Sequence, residues 1–273
     1  MSEMDHLTVD GVRLEARWLG PGPDEAPTLV LLHEGLGCVS LWRDFPERLA
    51  EATGWGVLVY SRQGYGASDP VEVPRPLSYM HREGLEVLPG VLDAAGIRQT
   101  ILVGHSDGAS IALINAGGVP DPRVIGLVLM APHVLTETFC VASIREARKA
   151  FEEGGLRQGL ARHHGDNVDC AFWGWNHAWL DPAFLHWNIE EYLPDIEVPI
   201  LQMQGREDQY GTEVHLERIE RQVQGPVQSI WLDDCGHSPH RDRPDAALQA
   251  IVDFVPDLAT LKGRHRQQTG HGR

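Results

Sequence analysis

Residues Ile101-Leu102-Val103-Gly104-His105-Ser106-Asp107-Gly108-Ala109-Ser110-Ile111-Ala112 read ILVGHSDGASIA. An apolar run ends at Ser106, which has a glycine two residues away on either side. Small and apolar residues then resume. The pattern is that of a strand passing through a tight turn into a helix. The glycines let strand and helix approach closely, and the turn exposes the hydroxyl.

Working outward, five more short apolar runs stop in polar or glycine residues: PTLVLLHEG, WGVLVYSRQGYGASDP, VIGLVLMAPH, PILQMQGRED and QSIWLDDCGH. Runs of this kind are what parallel strands covered on both faces look like. The opening HLTVDGVRLEARWL alternates apolar and polar around Asp10-Gly11, a hairpin signal. Helical stretches lie between the runs. LWRDFPERLAEATG is read as a helix ending at Gly54, REGLEVLPGVLDAAG as one kinked near Pro89-Gly90, and ASIALINAGG and RPDAALQAIVDFV as two more. The alternation predicts an α/β fold: an open, mostly parallel twisted sheet with helices on both faces. From Val134 to Pro194 no strand is evident, and four of the eight tryptophans fall there: Trp173, Trp175, Trp179 and Trp187. The expected organisation is a core of 1–133 and 195–261, a helical cap of 134–194 over the strand C-terminal edge, and a disordered basic tail of 262–273.

The chain has 273 residues and a net charge of −16, which disfavours nucleic acid and anionic membrane surfaces as partners. The last twelve residues, KGRHRQQTGHGR, carry basic residues and no acidic ones. No basic segment followed by an apolar run opens the chain, and no apolar stretch reaches the roughly 18 residues of a membrane span, so neither a signal peptide nor a membrane anchor is expected. Cys38, Cys140, Cys170 and Cys235 are scattered without a CxxC pair, which points to a reduced, cytoplasmic protein. Monomer and homodimer both stay open.

In an open α/β sheet, ligands bind outside the carboxyl ends of the strands. The polar residues ending the apolar runs converge there, Ser106, Asp208 and His237 among them. Nucleophilic acyl transfer needs such a set, because a serine hydroxyl must pass its proton to a histidine that a carboxylate orients. His237 directly follows Gly236 after the run QSIWLDD, which favours it over His240. Glu207, Asp233 and Asp234 compete with Asp208. His163, His164, Asp166, Asp169, His177 and His186 supply atoms a metal could use, but no HExxH or helix-face spacing is present. Neither metal nor cofactor is expected. The cap tryptophans Trp173, Trp175 and Trp179, with His133, His105 and Glu34, are expected to line a substrate pocket.

The motifs HEGLG (33–37), SRQGYGASDP (61–70), GHSDG (104–108), GREDQYG (205–211) and CGHSPH (235–240) resemble those of the α/β-hydrolase fold, of the ester-hydrolase type. The resemblance covers about residues 6–260. It implies Ser106 as nucleophile, Asp208 as acid and His237 as base, with an oxyanion hole from the backbone N–H of Asp107 and another near Gly35. The family usually has His-Gly where this chain has His33-Glu34. The expected activity is hydrolysis of a small carboxylic ester with an apolar or aromatic portion. Carbon–carbon bond hydrolysis of aromatic ring-fission products and thioester hydrolysis are the alternatives. Dehalogenases and epoxide hydrolases of this fold use an aspartate where this chain has Ser106. A non-catalytic small-ligand receptor is the competing class.

Overall fold

The computed structural model describes residues 6–255. The strands are β1 (His6–Val9), β2 (Val12–Leu19), β3 (Thr28–Leu32), β4 (Gly56–Tyr60), β5 (Thr100–His105), β6 (Val124–Met130), β7 (Ile200–Gly205) and β8 (Val227–Leu232). They form one sheet in the order β1-β2-β4-β3-β5-β6-β7-β8. β1 and β2 pair antiparallel through the Asp10-Gly11 turn, where both residues have positive φ (50° and 80°), and β2 pairs antiparallel with β4. All later pairings are parallel. The open sheet with flanking helices is the architecture the run pattern predicts. One run departs from it. β8 is only partly buried, because it closes the sheet edge and has a neighbour on one side only.

Strand residues alternate between two cores. Val30, Leu32, Leu58 and Leu102 face one; Leu29, Leu31, Val57, Val59, Ile101 and Val103 face the other. The second core is covered by α1 (Phe45–Thr53) and the last helix, residues 244–255. The first is covered by α2 (Tyr79–Arg82), α3 (Leu88–Ala94) and α4 (Asp107–Gly118).

Two helices differ from their sequence reading. The stretch 41–54 begins with a 3₁₀ turn, Val39–Trp42, and becomes α-helical only at Phe45. Pro46 fits a first helical turn, where its missing N–H costs nothing. The stretch 82–96 starts earlier, at Tyr79, and its irregularity is a π-helical segment, Glu83–Val87, ahead of Pro89. Pro89 cannot donate to the carbonyl of Leu85, and its ring crowds that carbonyl. Widening the preceding turn absorbs the clash without breaking the helix.

Between β6 and β7 the chain forms α5 (Thr138–Glu153), α6 (Leu156–His164) and α7 (Val168–Leu180), then two 3₁₀ turns. Their apolar faces join the first core. After β7 come α8 (Val214–Gln222), β8 and the short α9 (Pro239–Asp242). Among the described residues no helix is long and apolar enough to cross a membrane. The tail 262–273 and the end of the core lie outside the described residues.

Candidate active site

β4 and β5 flank β3 on opposite sides, so the strand order switches direction at β3. The C-terminal ends of β3 and β5 therefore open the crevice where such sheets bind ligands. β5 runs fully buried to His105, and α4 begins at Asp107. Ser106 between them has φ 53° and ψ −117°, a strained conformation for a residue with a Cβ. A Cβ at Gly104 would meet the backbone of Ala109, and one at Gly108 would overlap the Leu32 carbonyl. Only glycine lets helix and sheet close on the serine.

His237 follows β8, and Asp208 follows β7. Ser106 Oγ donates to His237 Nε2 at 2.8 Å. His237 Nδ1 donates to Asp208 Oδ2 at 2.8 Å and Oδ1 at 2.9 Å. The Asp208 side chain is 1% exposed and also accepts from Gln204 Nε2 (2.6 Å) and from the backbone N–H of Tyr210 (2.7 Å) and Gly211 (3.3 Å). Because Nδ1 carries the proton, Nε2 is free to take the serine's. The competitors lie elsewhere. His240 is buried against Trp42, with centroids 4.7 Å apart. Glu207 is exposed, Asp233 pairs with Arg206, and Asp234 pairs with Arg243.

The loop after β3 is held from behind. Arg62, itself buried, donates to the carbonyls of His33 (2.5 Å) and Glu34 (3.0 Å), and Gly37 N–H also donates to Glu34 (3.1 Å). Gly35 and Asp107 face the same cavity as Ser106. First-turn N–H groups of a helix have no intrahelical acceptor, so that of Asp107 is available to a ligand.

The cavity measures about 110 Å³. Its polar edge is Glu34, Ser106, His133 and His237; its apolar walls are Leu36, Cys140, Ile144, Trp175, Trp179 and Tyr210. Burial holds His133 well below the usual histidine range, with the nearby His215, His237 and His105 adding to the effect. Burial raises the Cys140 thiol to about 11, so it is no rival nucleophile at neutral pH. Burial by itself would raise the Glu34 carboxyl. The facing imidazole of His105 outweighs it and keeps the group below the usual carboxylate range.

Of the pocket residues expected from sequence, Glu34, His133, Trp175 and Trp179 line the cavity, and two do not. Trp173 stacks on His177 at 5.0 Å and lies under Arg148 at 5.4 Å. Trp175 and Trp179, four apart on α7, share a face, whereas Trp173 is two residues from Trp175 and points away. His105 lies beneath the site, 1% exposed, with Nε2 donating to the His237 carbonyl at 2.7 Å. Leu36, Cys140, Ile144 and Tyr210 escaped the sequence reading. Cys140 and Ile144 carry a signal, their four-residue spacing on α5, and Tyr210 lies two residues after Asp208. A Cβ at Gly35 would overlap the Trp175 indole, so α7 packs directly on the loop after β3.

Several of the residues considered as metal donors are otherwise engaged: Asp169 pairs with Arg157, and His177 stacks on Trp173. His163 bonds Ser40, and His164 bridges Gly66 N and the Leu36 carbonyl. Among the described residues no group of three or more His, Cys, Asp or Glu is arranged to hold a metal ion.

The chain belongs to the alpha/beta hydrolase family, which it matches over residues 29–250. Epoxide hydrolase 3 of Siraitia grosvenorii is 29% identical over 155 residues, 55% of this chain and 46% of that relative. The match thus spans less than half of that relative's length. Carboxylesterase YbfK of Bacillus subtilis is 23% identical over 252 residues, 87% of this chain and 83% of the relative. Among solved structures, 2-hydroxy-6-oxo-6-phenylhexa-2,4-dienoate hydrolase from Rhodococcus superposes with a TM-score of 0.72 at 18% identity, covering 92% of this chain and 98% of that one. That likeness is one of fold.

Proposed function

We propose that the protein is a serine hydrolase of short-acyl carboxylic esters. The carrying observation is the unbroken hydrogen-bonded chain from Ser106 through His237 to Asp208 at the polar edge of a cavity with apolar walls. Ser106 Oγ attacks the ester carbonyl as His237 Nε2 takes its proton. The oxyanion is held by the N–H groups of Asp107 and the Gly35 loop. Collapse expels the alcohol, which takes the proton back from His237. Water then repeats the sequence on the acyl-enzyme and releases the acid. Each oxyanion donor contributes about 10²–10³ in rate.

A serine at the elbow supports acyl chemistry over the aspartate-based opening of epoxides. The cavity is smaller than the roughly 150 Å³ that accommodates benzene in an engineered core, which favours acetyl- to butyryl-sized acyl groups. Segment 134–194 serves as the cap that closes over the acyl group. The four free cysteines fit a reducing compartment such as the cytoplasm. The test is hydrolysis of p-nitrophenyl acetate, butyrate and octanoate by wild type and Ser106→Ala. Turnover is expected to fall with chain length and to vanish in the variant. Undiminished hydrolysis by Ser106→Ala overturns the reading.

A further inference from the structure

The partners of a buried imidazole fix its protons. A carbonyl or carboxylate facing a ring nitrogen requires N–H there, and a backbone N–H facing one requires a bare nitrogen. His33 donates from Nδ1 to the Glu34 carbonyl (2.7 Å) and accepts at Nε2 from Arg62 N–H (3.1 Å). His164 accepts at Nδ1 from Gly66 N–H (3.0 Å) and donates from Nε2 to the Leu36 carbonyl (3.0 Å). His215 accepts at Nδ1 from Val134 N–H (3.2 Å) and turns Nε2 to the Glu137 carboxylate (2.9 Å). His237 donates to Asp208 and accepts from Ser106. His33, His164 and His237 each have one nitrogen of either kind and are satisfied as neutral rings; His215 has the same arrangement, although its Nε2 faces the carboxylate without an aligned hydrogen bond.

His105 breaks the pattern. Its Nε2 faces the His237 carbonyl at 2.7 Å, and its Nδ1 faces Glu34 Oε2 at 3.4 Å. Both neighbours can only accept. A neutral His105 would set a bare nitrogen against a carboxylate oxygen, with the ring itself only 1% exposed. A second proton turns that repulsion into an ion pair, although the approach is too oblique for an aligned hydrogen bond. The other titratable groups facing the pair are His33, His240, whose ring centroid is 4.8 Å from that of His105, and His237 at 5.3 Å. Burial holds His33 and His240 well below the usual histidine range, so neither supplies the countercharge for Glu34. Arg62 is spent on backbone carbonyls.

We propose that His105 is a resident imidazolium, ion-paired through Nδ1 with the Glu34 carboxylate, which positions His237 by donating Nε2–H to its carbonyl oxygen. The consequence for turnover rests on the catalytic reading of His237; the protonation state does not. Through two contacts the pair ties together the loop after β3, the residue preceding the nucleophile and the loop carrying the base. It gives a purpose to the carboxylate at position 34.

Long-range ¹H–¹⁵N spectra of the full-length protein near neutral pH read each imidazole directly, with His105→Gln assigning the signals. Wild-type His105 is expected to show both ring nitrogens protonated. In Glu34→Gln it is expected to show Nε2–H alone, because the new amide can donate to a bare Nδ1. The same variant is expected to lose about 10–100-fold in kcat while KM changes little, the signature of a misplaced base rather than of lost substrate binding. A bare Nδ1 in the wild type overturns the proposal, as does a doubly protonated His105 in Glu34→Gln. Ser106→Ala removes turnover and is expected to leave the His105 signals unchanged. Failure of the ester reading is thus distinguishable from failure of this one.

Discussion

Asp208 is the residue on which the geometry of the site turns. It accepts from His237, from one side chain and from two backbone N–H groups, and its side chain is almost wholly removed from solvent. An asparagine there retains the oxygen that the backbone donors need but presents an amide to His237. The imidazole would then favour the tautomer that cannot accept from serine. Asp208→Asn is therefore expected to lower kcat by on the order of 10⁴ with the fold intact; steady-state kinetics beside a circular dichroism spectrum checks it. At this scale much was legible. Ser106, Asp208 and His237 each stand where an apolar run ends, and the runs converge because parallel strands point the same way. Tyr210 was not legible, because its place beside His237, at 4.8 Å between centroids, is set by the path of the loop after β7.

At the scale of elements, the helices between β6 and β7 supply walls of the cavity that holds the serine. Ile144 on α5 and Trp175 and Trp179 on α7 wall the cavity. Ile144→Ala removes about three carbons of that wall. The preferred acyl chain is expected to lengthen by two or three carbons, each added methylene contributing about 0.8 kcal/mol, roughly fourfold in kcat/KM. A chain-length series of p-nitrophenyl esters checks it, and an unchanged optimum would place the acyl group elsewhere. The helical character of this segment was readable, but its facing was not. The sequence shows a cluster of tryptophans, and only the rotation of α7 sends Trp175 and Trp179 inward and Trp173 out to Arg148. The π-helical turn before Pro89 was hidden for a related reason. A proline announces trouble in a helix, and packing decides whether the helix kinks, breaks or widens.

At the scale of the molecule, the sheet buries histidines that must stay neutral. Burial holds His33, His133 and His240 well below the usual histidine range, with neighbouring positive groups adding to the effect. Their folded-state affinity for protons is lower than that of the unfolded chain, which titrates near 6.5. Above that pH their neutrality costs nothing. Below it the unfolded state gains protons that the fold refuses, and each such histidine removes about 1.4 kcal/mol of stability per pH unit. Glu83 and Asp107, raised by burial, act in the opposite sense and offset part of the loss. Urea denaturation is expected to show stability falling from pH 6.5 to 5.5, with a shallower slope in His240→Phe. Equal midpoints at both pH values would contradict the burial assigned to these rings.

The most direct test of the account is whether Ser106 is an activated nucleophile. Intact-mass measurement after exposure to a fluorophosphonate reads this without knowledge of the substrate. The expected result is a single adduct on the wild type, none on Ser106→Ala, and slowed labelling of His237→Ala. An unlabelled but folded wild type, or a Ser106→Ala variant that labels as fast as the wild type, would contradict it.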